Sequence, residues 1–267
     1  MKKKRGLIKL FLFVLLMLLV YNFRGNITSY VISDTNQDQE KIRIANWNLQ
    51  IFGEAKAEKN DLLNNYLDKI DNYDIVFIQE IRDISGTAFP KLCSALLEYN
   101  CLNSSRAGRT SSKEQVGIIY KKNIEIISLE DFNPDSEDRW ERPPIKVVFK
   151  AKNETITVYN IHVKPDDVST ELTNLEKIVE NKDKTILLGD LNADCSYYDN
   201  NKENQFDSWH WLISDEEDTT STNSDCAYDR IILNDNLFKD LSSSGIEKQN
   251  ITKDLSDHYI VWVELKV

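Results

Sequence analysis

With 267 residues, 41% of them hydrophobic and 10% aromatic, the chain is long enough for a substantial core in one large domain or two small ones, and its composition excludes a disordered or low-complexity protein. Its formal net charge is −11, from 44 acidic against 33 basic residues, which excludes attraction of a polyanion by overall charge. No repeat of solenoid or propeller period runs along it.

The first 25 residues stand apart. A basic head, Lys2 to Arg5, leads into Leu7–Tyr21, apolar except for Lys9, which is the pattern of a secretory signal. An amphipathic core helix would place a polar residue at every third or fourth position, and these are absent. The uninterrupted apolar stretch Leu10–Tyr21 is short against the roughly 20 residues of a spanning helix. Counted over residues 7–23, with Lys9 snorkelling, the segment also suits a membrane anchor. No clean small-x-small cleavage site follows, so a cleaved signal and an uncleaved anchor both stay open. Either one predicts an extracytoplasmic domain, secreted or membrane-anchored. Residues 1–25 hold six bases and no acid, so the remainder carries 27 bases against 44 acids, a net charge of −17. Binding to nucleic acid would then have to rest on a local basic rim and bound cations.

Residues 26–40 are polar and read as a linker, followed by a domain over residues 41–267. Ile42–Trp47 and Asp74–Gln79 are β-branched and aromatic runs that suit buried strands. Between them Leu62, Leu63, Tyr66, Leu67 and Ile70 recur at helical spacing, predicting an amphipathic helix. Further strands are predicted at Val116–Tyr120, Ile145–Phe149, Thr155–Ile161, Thr185–Gly189, Tyr228–Leu233 and Tyr259–Leu265. A second helix carries Leu172, Leu175, Ile178 and Val179. Many strands with few helices predict an α/β fold of two packed mixed β-sheets flanked by helices.

Several predicted strands end in polar residues. Asn48 follows the first, Glu80 the second, and His162 the strand Thr155–Ile161. Asp190 and Asn192 follow Thr185–Gly189, Asp229 lies within Tyr228–Leu233, and Asp257 and His258 precede Tyr259. A single carboxylate after a strand is usually a solvated turn residue. Their recurrence at the ends of apolar strands predicts one shared cleft. Two of the chain's three histidines belong to this set, and His210, between Trp209 and Trp211, reads as a structural helix residue. Asp, Glu and Asn oxygens suit Mg²⁺ or Ca²⁺, and no Cys/His spacing suggests zinc. Imidazoles beside hard oxygen ligands suit hydrolysis of a phosphate ester.

The segments Asn46–Gly53 (NWNLQIFG), Ile78–Asp83 (IQEIRD), Gly108–Gln115 (GRTSSKEQ), Glu141–Pro144 (ERPP), Ile161–Pro165 (IHVKP), Gly189–Tyr197 (GDLNADCSY), Asp218–Arg230 (DTTSTNSDCAYDR) and Ser256–Tyr259 (SDHY) occur in that order. In this the chain resembles the deoxyribonuclease I branch of the endonuclease/exonuclease/phosphatase superfamily, over about residues 42–267. The resemblance implies a four-layer α/β sandwich and a metal-dependent endonuclease, acting as a monomer on DNA and leaving 5′-phosphate ends. It implies that Glu80 with Asn48 holds a catalytic Mg²⁺, shared by Asp257. His258, oriented by Asp229, would activate water, and His162, paired with Glu114, would protonate the 3′ oxygen or stabilise the phosphate; which imidazole is acid and which is base stays open at the level of sequence. Asp190 and Asn192 would position phosphate and nucleophile, and Arg82 and Arg142 would contact DNA.

The same resemblance implies a disulfide between Cys195 and Cys226, in keeping with export. Cys93 and Cys101 have no counterpart, and an even total of four leaves both a second bridge and free thiols open. Asp218, Thr220, Thr222 and Ser224 alternate, so an extended segment would face their oxygens one way, resembling the branch's structural Ca²⁺ loop. A polar surface loop is the alternative. Ser112 stands where the branch has a tyrosine against the minor groove, which weakens the case for duplex affinity. Rival functions are hydrolysis of a phospholipid or small phosphate ester, or a non-catalytic binding module on the same scaffold.

Overall fold

The computed structural model describes residues 40–199 and 202–267. The predicted leader and the linker up to residue 39 lie outside the described residues. No helix among the described residues is long and apolar enough to cross a membrane.

In chain order the strands are β1 (Lys41–Phe52), β2 (Ile75–Ile81), β3 (Tyr99–Asn103), β4 (Gln115–Lys121), β5 (Glu125–Asp131) and β6 (Ile145–Ala151). They continue as β7 (Glu154–Asn160), β8 (Thr185–Asp190), β9 (His210–Trp211), β10 (Asp229–Leu233), β11 (Leu241–Glu247) and β12 (Ile260–Lys266). The helices are α1 (Glu54–Ala57), α2 (Asn60–Ile70), α3 (Ala88–Ser94), α4 (Val168–Ile178) and α5 (Asp235–Phe238).

Two mixed six-stranded sheets result, ordered β11-β12-β1-β2-β4-β3 and β5-β6-β7-β8-β10-β9. Each has a parallel pair at its centre, β1 with β2 and β7 with β8, and antiparallel neighbours on both sides. The crossovers between these parallel strands carry α2 and α4.

Strand residues alternate between two apolar environments. Ile44, Phe77, Val158, Leu188 and Ile231 meet in the core between the sheets. Ala45, Trp47, Val76 and Ile78 face outward with Tyr66 and Ile70 of α2, while Leu187 and Ile232 face outward with Leu172 and Leu175 of α4. Burial on both faces is why these strands read as continuous apolar runs rather than as alternating ones.

The strands without a predicted counterpart, β3, β5, β9 and β11, are the four sheet edges. An edge strand pairs on one side and meets solvent, so its sequence is freer; β11 reads LSSSGIE and every residue in it is half-buried. His210 is corrected from helix to strand: it pairs opposite Leu233, stacks on Phe238 and bonds Asp235 through Nε2 (2.8 Å). Tyr228, the first residue of its predicted strand, lies just before β10, and Val179 has left α4 as an extended C-cap. Asn48 lies inside β1, which continues to Phe52 through a break in register.

Candidate active site

The parallel strands deliver their C-terminal ends, and the antiparallel β10 and β12 their beginnings, to the same end of the two sheets. There the predicted cleft residues converge. His162 Nδ1 lies 2.6 Å from Glu114 Oε1, and its Nε2 lies 3.4 Å from Asp190 Oδ2. His258 Nδ1 lies 2.7 Å from Asp229 Oδ2, and its Nε2 lies 3.6 Å from that same Asp190 oxygen and 3.7 Å from Asp257 Oδ1. Asn48 Nδ2 donates to Asp190 Oδ2 (3.1 Å) and reaches Glu80 Oε1 (3.4 Å), so it ties the two carboxylates together. The Asn192 main-chain N–H donates to Asp190 Oδ1 (3.1 Å), and its side-chain amide donates to Val163 O (2.9 Å).

Backbone strain gathers here. Gln50, Ile51, Glu80, Asn192 and Cys195 all have positive φ, between 44° and 60°. Such a conformation costs on the order of 1–3 kcal/mol in a non-glycine residue and persists only where the surroundings impose it. At Glu80 it accompanies the bulge that turns the carboxylate toward Ile51 N–H, which donates to it at 2.8 Å. Gly189 has φ +154°, and a Cβ there would lie 2.0 Å from Ile161 O, so only glycine fits beside Asp190.

The charges are strongly coupled. Burial opposes ionisation of Glu114, but His162, Arg142 and Arg82 outweigh it and hold the carboxyl down at about 2. Burial also opposes charge on His258, yet Asp229 and Asp190 hold that ring well above the ordinary histidine range. Asp257 is pushed up by burial, with Glu80 and Asp190 adding to it against His258.

The two arginines expected at the DNA face turn inward. Arg82 lies 3.2 Å from Glu80 and 3.4 Å from Glu114, bridging the two acids. Arg142 donates to His162 O (2.9 Å) and Val163 O (3.1 Å) and lies 3.6 Å from Glu114. Their side chains remain 24% and 15% exposed.

Sequence reasoning missed the layer beneath. Gln79 Nε2 donates to Asn160 Oδ1 (3.1 Å) and Ile161 O (2.8 Å), while its Oε1 accepts from Asn46 Nδ2 (3.2 Å) and Asp190 N (2.9 Å). Asn160 Nδ2 closes the ring on Asn46 Oδ1 (2.8 Å). These three buried amides cross from one sheet to the other and hold Asp190 in place. Their signal was visible: each is an amide within an otherwise apolar strand. Lys56 is a second omission; its ammonium bridges Leu49 O (2.8 Å) and Leu255 O (3.0 Å) beside the Asp257 segment.

The predicted extended cation segment is instead a bent loop. The Thr220 hydroxyl lies 3.0 Å from Asp218 Oδ1 and 2.7 Å from Ser224 O, and Thr222 contacts both Thr220 (3.3 Å) and Ser224. The four side chains meet through a turn, because a carboxylate accepting from N–H two residues on folds the chain back. The loop also braces the cleft: Thr220 bridges His258, and Ser221 N donates to Asp257 O (2.7 Å). Cys195 and Cys226 form a disulfide, and so do Cys93 and Cys101.

The donor set suits a hard divalent cation. Asp257 Oδ1 is buried with no hydrogen-bond partner among the described residues, and Glu80, Asp190 and Asp257 crowd negative charge into one place.

Residues 45–258 match the endonuclease/exonuclease/phosphatase family. Deoxyribonuclease-1 of Gallus gallus is 30% identical over 261 residues, covering 84% of this chain and 92% of its own. Deoxyribonuclease gamma of Homo sapiens is 30% identical over 246 residues, covering 82% and 79%. Among solved structures, D. rerio TDP2 complexed with single strand DNA product has a TM-score of 0.64 at 16% identity, covering 85% of this chain and 100% of that one. An endonuclease/exonuclease/phosphatase family protein from Leptotrichia buccalis has the same TM-score at 18% identity, with the same coverage. Those two show the fold; the sequence match over most of the chain shows the descent. The protein belongs to the endonuclease/exonuclease/phosphatase family, among its deoxyribonuclease I-like members.

Proposed function

We propose that the chain is an exported, divalent-cation-dependent endonuclease that hydrolyses DNA phosphodiester bonds and leaves 5′-phosphate ends. DNA as substrate is supported by the deoxyribonucleases among its relatives. The chemistry is carried by one observation: both imidazole Nε2 atoms face Asp190 Oδ2, at 3.4 and 3.6 Å, and each ring is backed by a buried carboxylate. A phosphodiester seated there has a proton acceptor on the side of the attacking water and a donor on the side of the leaving oxygen. His258, oriented by Asp229, takes the proton of the water. His162, oriented by Glu114, protonates the departing 3′ oxygen. Asp190 and Asn192 position the phosphate and the nucleophile. Arg82 and Arg142 supply positive charge to a body whose net charge is negative.

Glu80 and Asp257, with Asn48 beside them, would hold Mg²⁺, whose charge would polarise the phosphate and counter the carboxylates around His258. Asp218, Thr220, Thr222 and Ser224 would hold a structural Ca²⁺. Export is supported by the leader pattern and by two disulfides. The chain is secreted, or anchored with its catalytic domain outside.

The purified protein with Mg²⁺ and Ca²⁺ should nick supercoiled plasmid, and His258→Ala should lose about 10²–10⁴-fold of that rate. Wild type and variant equally inert on DNA, with wild type active on a phospholipid or inositol phosphate, would sink the nuclease assignment.

A further inference from the structure

Glu171 is fully buried on α4, and nothing in the chemistry above uses it. Its Oε1 accepts from the main-chain N–H of Glu141 (2.6 Å) and its Oε2 from that of Lys164 (3.0 Å), so both oxygens are engaged. Its own carbonyl accepts from Trp140 Nε1 (3.0 Å). The two amides belong to the segment entering β6 and the segment leaving β7, strands paired with Ile145 opposite Asn160. Arg142 directly follows one amide, and His162 precedes the other by two residues. From that position Arg142 donates to His162 O and Val163 O.

A buried carboxylate is costly unless fully hydrogen-bonded. An apolar residue would complete the buried helix face of Val168, Leu172 and Leu175 without that cost. Burial pushes the Glu171 carboxyl above its ordinary range, and the two N–H groups and the Arg142 charge oppose this. Its bonds therefore organise two loops as well as filling a core.

We infer that Glu171 is a positioning residue for the His162 half of the site: by fixing the Glu141 and Lys164 amides it keeps Arg142 and the His162 ring in place. Its effect on turnover rests on the proposed phosphodiesterase chemistry; its effect on the His162 ring does not.

The test compares full-length Glu171→Gln with Leu175→Ala, a buried apolar change on the same helix. Glutamine keeps the volume but sets an N–H against one of the two amides. With both variants folded by circular dichroism, Glu171→Gln should lower kcat for plasmid nicking about 10- to 100-fold. Leu175→Ala should keep its kcat per folded molecule. The proton resonance of the His162 ring N–H facing Glu114 should move in Glu171→Gln and stay in Leu175→Ala. If it stays in both, the inference is overturned, whatever the activities are. Should glutamine prevent folding, Glu171→Asp, too short to reach both amides, serves the same comparison. A wild type that cuts no DNA would count against the nuclease assignment alone, and the resonance would still decide the role of Glu171.

Discussion

Gln79→Leu isolates the polar layer under the cleft. Gln79 is fully buried and makes four hydrogen bonds, two as donor and two as acceptor. Leucine fills much the same volume but leaves the Asn46 amide, the Asp190 N–H, Asn160 Oδ1 and Ile161 O without those partners. Each buried polar group left unsatisfied costs about 1–3 kcal/mol. Asn46 and Asn160 keep their mutual bond and relax toward one another, so the lower end applies and the total is about 4 kcal/mol. For a domain of this size each kcal/mol lowers the melting midpoint by roughly 2–4 °C, giving a fall of about 8–16 °C. The measurement is thermal unfolding followed by circular dichroism, with Gln249→Leu at an exposed site as control. The control should remain within about 0.5 kcal/mol of wild type. A Gln79→Leu midpoint no lower than the control would refute the argument that these amides bind the sheets together.

Three further outcomes are expected. Burial raises the Asp83 carboxyl, but N–H groups of Ala88, Thr87 and Ser85 and the Ser85 hydroxyl outweigh it and hold the carboxyl below its usual range. Asp83 therefore stabilises the fold above the ordinary carboxylate value of about 3.9 and loses that contribution as pH falls through its folded value. Asp83→Asn should melt below wild type at neutral pH, with the gap closing in acid; a gap independent of pH contradicts this. The Cys195–Cys226 bridge spans 31 residues and Cys93–Cys101 spans 8, so loop-closure entropy assigns them about 3–4 and 2–3 kcal/mol. Paired serine variants should melt in that order, and a reversed order would mean that native packing decides instead. Finally, Ca²⁺ at about 100 times its Kd should stabilise wild type by about 2.7 kcal/mol and leave Asp218→Ala unmoved. An unresponsive wild type removes calcium from the 218–224 loop.

Much of the site was legible because its chemistry is concentrated. Asn48, Glu80, His162, Asp190 and His258 interrupt or end strands that are otherwise apolar, and polar groups in such places demand partners. Glu171 was not legible, since a glutamate in a helix is ordinarily a solvated residue. Only the packing of α4 against two loops shows that its carboxylate faces inward. The orientation of Arg82 and Arg142 was hidden for a related reason. Their charge is local information, whereas Glu114, His162 and Val163, which claim them, lie 20 to 32 positions away; Glu80 alone is near, two positions from Arg82.

The sequence alone determined the apolar strands buried on both faces, the amphipathic helices α2 and α4, and the polar set that the strands deliver. Each of these is written in side-chain pattern over a few residues. The four edge strands, the bent 218–224 loop, the second disulfide and the meeting of two imidazoles on one Asp190 oxygen were decided by the tertiary structure. They depend on which strands become neighbours and on register between distant segments, and no local pattern encodes either.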